Sequence, residues 1–200
     1  MKKLFIISVF LFGFTQANLA QNTTNGSIEF SLLGAEFVDR TSIGFGVAIH
    51  KNWHEYFQIG LGLQMASNRK SNTFGYEVGS PFYTATAFTL NNTAQLYSIG
   101  NFSLEANANL GVLNINLQDE DFATFNPVLG IVESETIVQE YFRFLQGGFT
   151  LNYLVSKKDG FDILIFARAL RNQSFGNVRL GGENGNSSLQ FNLGIKVNAF

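Results

Sequence analysis

Apolar and polar positions alternate with a period of two along almost all of the chain beyond residue 26. That is the period of a strand with two unlike faces. Between Ser42 and Trp53, the residues Ile43, Phe45, Val47, Ile49 and Trp53 fall on one face, and Ser42, Gly44, Gly46, Ala48 and His50 on the other. Tyr56–Ala66, Phe102–Val112, Leu145–Val155, Phe161–Ala169 and Leu189–Phe200 repeat the pattern. In Ser27–Phe37 the apolar set changes face midway, so the reading places a bulge near Leu32-Leu33 that keeps Glu29 and Glu36 on the same side. Phe82–Ile99 carries Asn91-Asn92 at its centre. Kept whole, it makes the strand count eight; split there, nine.

The sense of the alternation matters more than its presence. A soluble sheet wets its polar face and fills it with Lys, Glu and Thr. Here that face is mostly Gly, Ala, Ser, Asn and Gln, residues suited to a crowded interior, while the large apolar groups suit hydrocarbon. Connection lengths agree. Lys51–Glu55, Gly100-Asn101 and Ser156–Gly160 are tight, whereas Ser67–Pro81, Gln118–Glu140 and Arg171–Ser188 are long and polar. Only Val38–Thr41 is short on the long side. The expected fold is all-β, an eight-stranded antiparallel up-and-down transmembrane β-barrel over residues 27–200.

The beginning of the chain reads as an export signal. Lys2 and Lys3 precede an apolar run from Leu4 to Phe14, and a small polar exit ends at Ala20. Residues 1–20 are expected to be cleaved, leaving a short lead at 21–26. The run is too short for a bilayer-spanning helix, which needs about 20 residues. No cysteine is present anywhere, which excludes a disulfide scaffold, a thiol nucleophile and a lipoprotein anchor. Charged residues make up only 14 % of the chain and the net charge is −2, which excludes a basic nucleic-acid surface. Twenty-two phenylalanines rule out disorder.

Aromatic residues pool beside the tight turns: Trp53, Phe57, Tyr97, Phe102, Tyr153, Phe161 and Phe200. Such pooling is expected of a girdle at a membrane interface. In signal, strand count, loop asymmetry and aromatic placement, residues 27–200 resemble the small eight-stranded outer-membrane β-barrels of the OmpA/OmpX type. The resemblance implies a monomer in the outer membrane of a Gram-negative bacterium, with membrane lipid and the barrel-assembly machinery as partners. The terminal Phe200 fits that family. Lys196 and Asn198 depart from it, because the apolar series Phe191-Leu193-Ile195-Val197 runs one residue out of the usual register.

An eight-stranded barrel is just wide enough for its own side chains, so enclosed charges must pair. Glu29, Glu36, Glu105, Arg143, Asp162, Arg168 and Lys196 are expected to form a lumen network, Arg143 through a bulge before Leu145. The result is a plug and not a pore. On the long connections Phe74, Tyr76, Phe82, Tyr83, Phe122 and Phe125 are candidate contacts for an extracellular ligand. The only histidines, His50 and His54, flank a strand end and a tight turn. Lipid-modifying or proteolytic barrels of similar build need histidine at the opposite rim, so no catalytic residue is assigned. No metal or cofactor is expected either: the acidic Asp119-Glu120-Asp121 lacks EF-hand spacing. The expected role is a non-enzymatic barrel whose loops serve binding, adhesion or envelope architecture. A lipid-modifying hydrolase and a soluble lipocalin-like barrel holding an apolar ligand are the alternatives.

Overall fold

The computed structural model describes residues 26–37, 40–54, 56–69, 75–126, 131–158, 160–175, 180 and 187–199, with the side chains of 37, 40, 123–126 and 131–133 set aside. The export signal and Phe200 lie outside the described residues. Eight antiparallel strands close on themselves in chain order. They are β1 (Gly26–Phe37), β2 (Arg40–His54), β3 (Phe57–Arg69), β4 (Pro81–Ile99), β5 (Phe102–Asn126), β6 (Ile131–Lys158), β7 (Phe161–Phe175) and β8 (Ser187–Ala199). β8 pairs with β1 along ten positions, so neither sheet edge is left open.

Closure carries a large stagger. Following hydrogen-bonded partners from Ile28 through Ile49, Leu61, Leu90, Leu110, Leu145 and Gln173 leads to Ser187, whereas Ile28 itself pairs with Val197. An offset of about ten residues in eight strands goes with a tilt near the upper part of the usual ~35–45° range. The tight turns need little chain. Gly100 and Gly160 turn in the left-handed region, at φ 56° and 92°, where a Cβ would be strained.

The wall is apolar outside and polar inside. Ile43 is 75 % exposed, Leu32 69 % and Leu193 65 %, while Ser42, Thr150, Asn152 and Lys196 are buried. A lipocalin-like barrel would present the reverse: apolar groups lining a cavity and a wetted outer face. Trp53, Tyr97, Phe102 and Tyr153 are exposed on the outer surface at the tight-turn end. Phe102 and Tyr153 are register partners with ring centroids 4.9 Å apart. Phe57 and Phe161 lie half-buried at the same end.

Three readings of the sequence change. The bulge at Leu32-Leu33 does not occur: β1 pairs in unbroken register with both neighbours. Leu33 therefore points inward and is buried, and Glu36 is exposed on the outer face. No bulge separates Arg143 from Leu145 either, and toward the tip the register first breaks at Ile137; Arg143 is therefore exposed on the outside between Val112 and Phe175. Residues 118–140 are not a polar loop but mostly the extension of β5 and β6 beyond the barrel as a hairpin. A tilted strand needs only about 9–11 residues to cross a bilayer, and β5 and β6 have 25 and 28.

β4 runs unbroken through Asn91-Asn92. Asn91 faces the lumen, while Asn92 bridges to β5, its Nδ2 donating to the Ala108 carbonyl at 3.0 Å. That local side-chain bond lets an amide sit on the outer wall without an unpaired donor. Leu61, 64 % exposed near mid-wall, tests the assignment of the outer face. Leu61→Arg should weaken folding into lipid vesicles by ~2–4 kcal/mol in a urea titration. An unchanged midpoint would mean that Leu61 does not face hydrocarbon.

Candidate functional site

The lumen is filled in layers. Toward the tight-turn end, the Glu29 carboxylate of β1 stands at the centre of a charged cluster. Arg168 of β7 donates from Nη2 to Glu29 Oε2 at 2.7 Å and from Nε to Thr150 Oγ1 at 2.8 Å. Its guanidinium also lies 4.8 Å from the Phe166 ring centroid. Lys196 of β8 donates to Glu105 Oε1 at 3.2 Å and Gln58 Oε1 at 2.8 Å, with Nζ 3.5 Å from Glu29 Oε1. His50 Nε2 of β2 is 3.4 Å from the same Glu29 oxygen. One lysine thus bridges two carboxylates that the fold brings together from β1 and β5.

Glycine makes room for this packing. A Cβ on Gly60 would collide with the Ile49 carbonyl oxygen and meet His50 Nδ1 at 2.6 Å, and one on Gly194 would collide with the Phe30 carbonyl oxygen and meet the Phe166 ring at 2.7 Å. Both rings would have to shift. Gly60 and Gly194 therefore belong to the cluster although they carry no side chain.

Above the charges lies a chain of amides. Asn109 donates to Gln146 at 3.2 Å, Gln146 to Gln190 at 3.1 Å, and Gln190 to both Gln64 at 3.0 Å and Asn192 at 2.9 Å. Asn107, also on β5, accepts from Thr93 Oγ1 at 3.3 Å and donates at 2.7 Å to Thr150, the hydroxyl that accepts from Arg168. Side chains from β3, β5, β6 and β8 are thereby joined across the bore.

The long-loop end is closed by an apolar cluster. Tyr83, Ala85, Ile115, Leu117 and Phe142 are buried together with Leu180, which comes from the connection between β7 and β8, and Tyr76 and Val78 pack against them. Burial pushes the Tyr83 phenol up to about 12. The loops are also held by hydrogen bonds. Asp119 accepts from the amides of Gly79 at 2.9 Å, Ser80 at 3.1 Å and Asp121 at 3.1 Å. Glu140 accepts from the Leu180 amide at 3.1 Å, and Arg69 pairs with Glu120 at 2.9 Å. The Gly79 amide, followed by those of Ser80 and Asp121, holds the Asp119 carboxyl below its ordinary value against the opposing effect of burial.

Of the seven charges assigned to the lumen, Glu29, Glu105, Arg168 and Lys196 come together. Asp162 stays half-buried at the tight-turn mouth, with Oδ1 lacking a hydrogen bond. Glu36 and Arg143 are outside the lumen, on the outer face. The additional members are His50, Gln58, Thr150 and the amides. Each lies on the polar face of its strand, so the alternation carried the signal, but charge alone did not select them.

The loop aromatics divide differently from expectation. Tyr83 is fully buried and Tyr76 packs on the same cluster, so neither offers a contact surface. Phe82 is half-buried, 6.0 Å from the Arg69 guanidinium, while Phe122 is 63 % exposed. Phe74 and the Phe125 side chain lie outside the described residues. No group of three His, Asp or Glu able to hold a metal ion occurs among the described residues.

The Asp119 clasp gives a direct test. Asp119→Ala should release the segment around Glu77, raising its cleavage by a glutamyl endopeptidase severalfold while the barrel stays folded. Because the folded carboxyl titrates low, its contribution is complete above the ordinary value of 3.8 and is lost as pH falls through the lowered one. Equal protection of the variant would show that the apolar cluster alone holds the loop.

No protein-family model matches the chain, and no curated protein matches it in sequence. Solved structures share its fold. Neisserial surface protein A (NspA) superposes with a TM-score of 0.55 at 10 % identity, covering 88 % of this chain and 95 % of that one. A major outer membrane protein of Thermus thermophilus gives 0.57 at 11 % identity, covering 88 % and 100 %. At such identities the likeness is one of fold: this chain has the closed antiparallel barrel fold of those outer-membrane proteins, with eight strands.

Proposed function

We infer that this protein is a non-enzymatic integral outer-membrane barrel of a Gram-negative bacterium, exported through residues 1–20 and inserted as a monomer by the barrel-assembly machinery. Its bore is closed, and its work is done by what it presents at the cell surface. The carrying observation is the three-layer filling of the lumen. Charged residues, then amides, then an apolar cluster occupy the bore from the tight-turn end to the loops. Each layer draws side chains from several strands, so a continuous water path would require the layers to come apart. Burial of unpaired charge would oppose that.

The surface feature that supports a binding or adhesive role is the β5–β6 hairpin. It extends beyond the other strands and carries Phe122 exposed. Asp119 holds Gly79 and Ser80 at the mouth and Glu140 holds Leu180, so among the described residues this hairpin reaches farthest toward an extracellular ligand. A non-enzymatic reading is supported by the histidines. His50 is enclosed against Glu29, and His54 stands at a tight turn, the end opposite the long loops.

Planar-bilayer recording tests the closed bore. The protein should run compactly on a gel before boiling and more slowly after, and its conductance in a bilayer should stay near zero. A stable, selective open channel whose ion preference reversed in Arg168→Glu would overturn the plug and indicate transport.

A further inference from the structure

The outer wall carries a concavity that the closed-bore reading does not use. A shallow groove of about 640 Å³ runs over β3 to β7, walled by Leu61, Leu90, Leu110, Phe88, Val112 and Phe175, and among the described residues Arg143 is the one charged residue lining it. Arg143 makes no ion pair or hydrogen bond among the described residues, and no carboxylate lines the groove. A guanidinium on the outer wall with no protein partner is open to an anionic group of the membrane.

The position of Arg143 indicates what that is. Tyr153 belongs to the girdle at the tight-turn end, and Arg143 lies on the same strand and the same outer face, toward the loops. At ~3.3 Å per residue on a strand tilted ~45°, Arg143 stands roughly 23 Å above Tyr153. That is about the height of the apolar band of such barrels, ~25 Å. Arg143 therefore reaches the level of the lipid headgroups on the loop side. Leu61 and Leu90, register partners deeper in the wall, mark the groove's lower end. A lipid lying there would place an acyl chain along the leucines and its headgroup on the guanidinium.

We propose that this groove is a specific site for a phosphate-bearing glycolipid of the outer leaflet, with one acyl chain seated between Leu61 and Val112 and a phosphate bound by Arg143. The planar guanidinium matches phosphate geometry with two parallel hydrogen bonds, which a diffuse cationic surface would not supply. This assignment rests on the outer-membrane reading above, because only there does the loop-side leaflet present that chemistry. Arg171 provides an internal control. It is a second exposed, outward arginine, on β7, but it does not line the groove and donates to Ser187 Oγ at 3.0 Å.

Native mass spectrometry of the refolded full chain in detergent micelles tests the site, with monophosphoryl lipid A as the probe and phosphatidylcholine as the comparison. The wild type should retain one probe molecule in preference to phosphatidylcholine. Arg143→Gln should lower retention about tenfold, the worth of one charge-assisted pair. Leu110→Trp should lower it by filling the groove with the arginine intact, and Arg171→Gln should leave it unchanged. Heat-dependent gel mobility, read on every variant, separates two failures. Protein that never becomes a compact lipid-stable species contradicts the outer-membrane reading itself. A folded barrel that keeps the probe in Arg143→Gln, loses it equally in Arg171→Gln, or retains phosphatidylcholine as well overturns the site alone.

Discussion

The buried carboxylate of Glu29 is the constraint around which the interior is arranged. A charge inside a narrow barrel has neither bulk water nor a membrane headgroup to stabilise it, so it must be answered by protein. Arg168, Lys196 and His50 supply that answer from β7, β8 and β2, and Lys196 passes the connection on to Glu105 of β5. Three strands thus meet β1 through one carboxyl group, and β5 joins them through Lys196. The demand extends to residues with no charge. Gly60 and Gly194 stay bare because a side chain there would run into the Ile49 and Phe30 carbonyl oxygens and the rings of His50 and Phe166.

The same logic orders the bore by height. Charges lie toward the tight-turn end, amides above them and an apolar cluster at the mouth. The cluster resembles the core of a soluble domain, and it lies where the strands rise beyond the apolar band. There water surrounds the wall, and burial of Leu117, Ile115 and Leu180 again gains from the hydrophobic effect. Within the band, outward burial gains nothing between protein and lipid, so stability must come from closed backbone pairing and the polar interior. The β5–β6 hairpin can extend so far because its base is part of that apolar cluster and because Asp119 and Glu140 fasten the adjoining loops to it.

Much of this is legible in the sequence, for definite reasons. The side-chain period of two and the run of small polar residues opposite large apolar ones specify the inverted wall and the eight strands. The same alternation places Lys196 inward, where Glu29 and Glu105 answer its charge. The reading fails where it departs from strict alternation by invoking a bulge. Glu36 and Arg143 complete a charge network only if the strands slip by one residue, yet β1 and the stretch of β6 around Arg143 pair without interruption, and both residues face out. Tyr83 and the residues around 118–140 look like loop in the sequence because they are polar or follow a turn. Their order comes from packing between segments distant in the chain, Tyr76, Tyr83, Leu117 and Leu180, which no local pattern records.

A double-mutant cycle on Glu29 and Arg168 addresses the central claim most directly. The stabilities of wild type, Glu29→Gln, Arg168→Met and the double variant would be measured by reversible urea unfolding in lipid vesicles. Arg168→Met alone should cost about 3–5 kcal/mol, because it leaves a buried carboxylate short of its principal partner. The double variant should be distinctly more stable than the sum of the single losses implies, since the second change removes the stranded charge. Strict additivity would contradict the account: Glu29 and Arg168 would then act independently, and the interior would not be organised around their pairing.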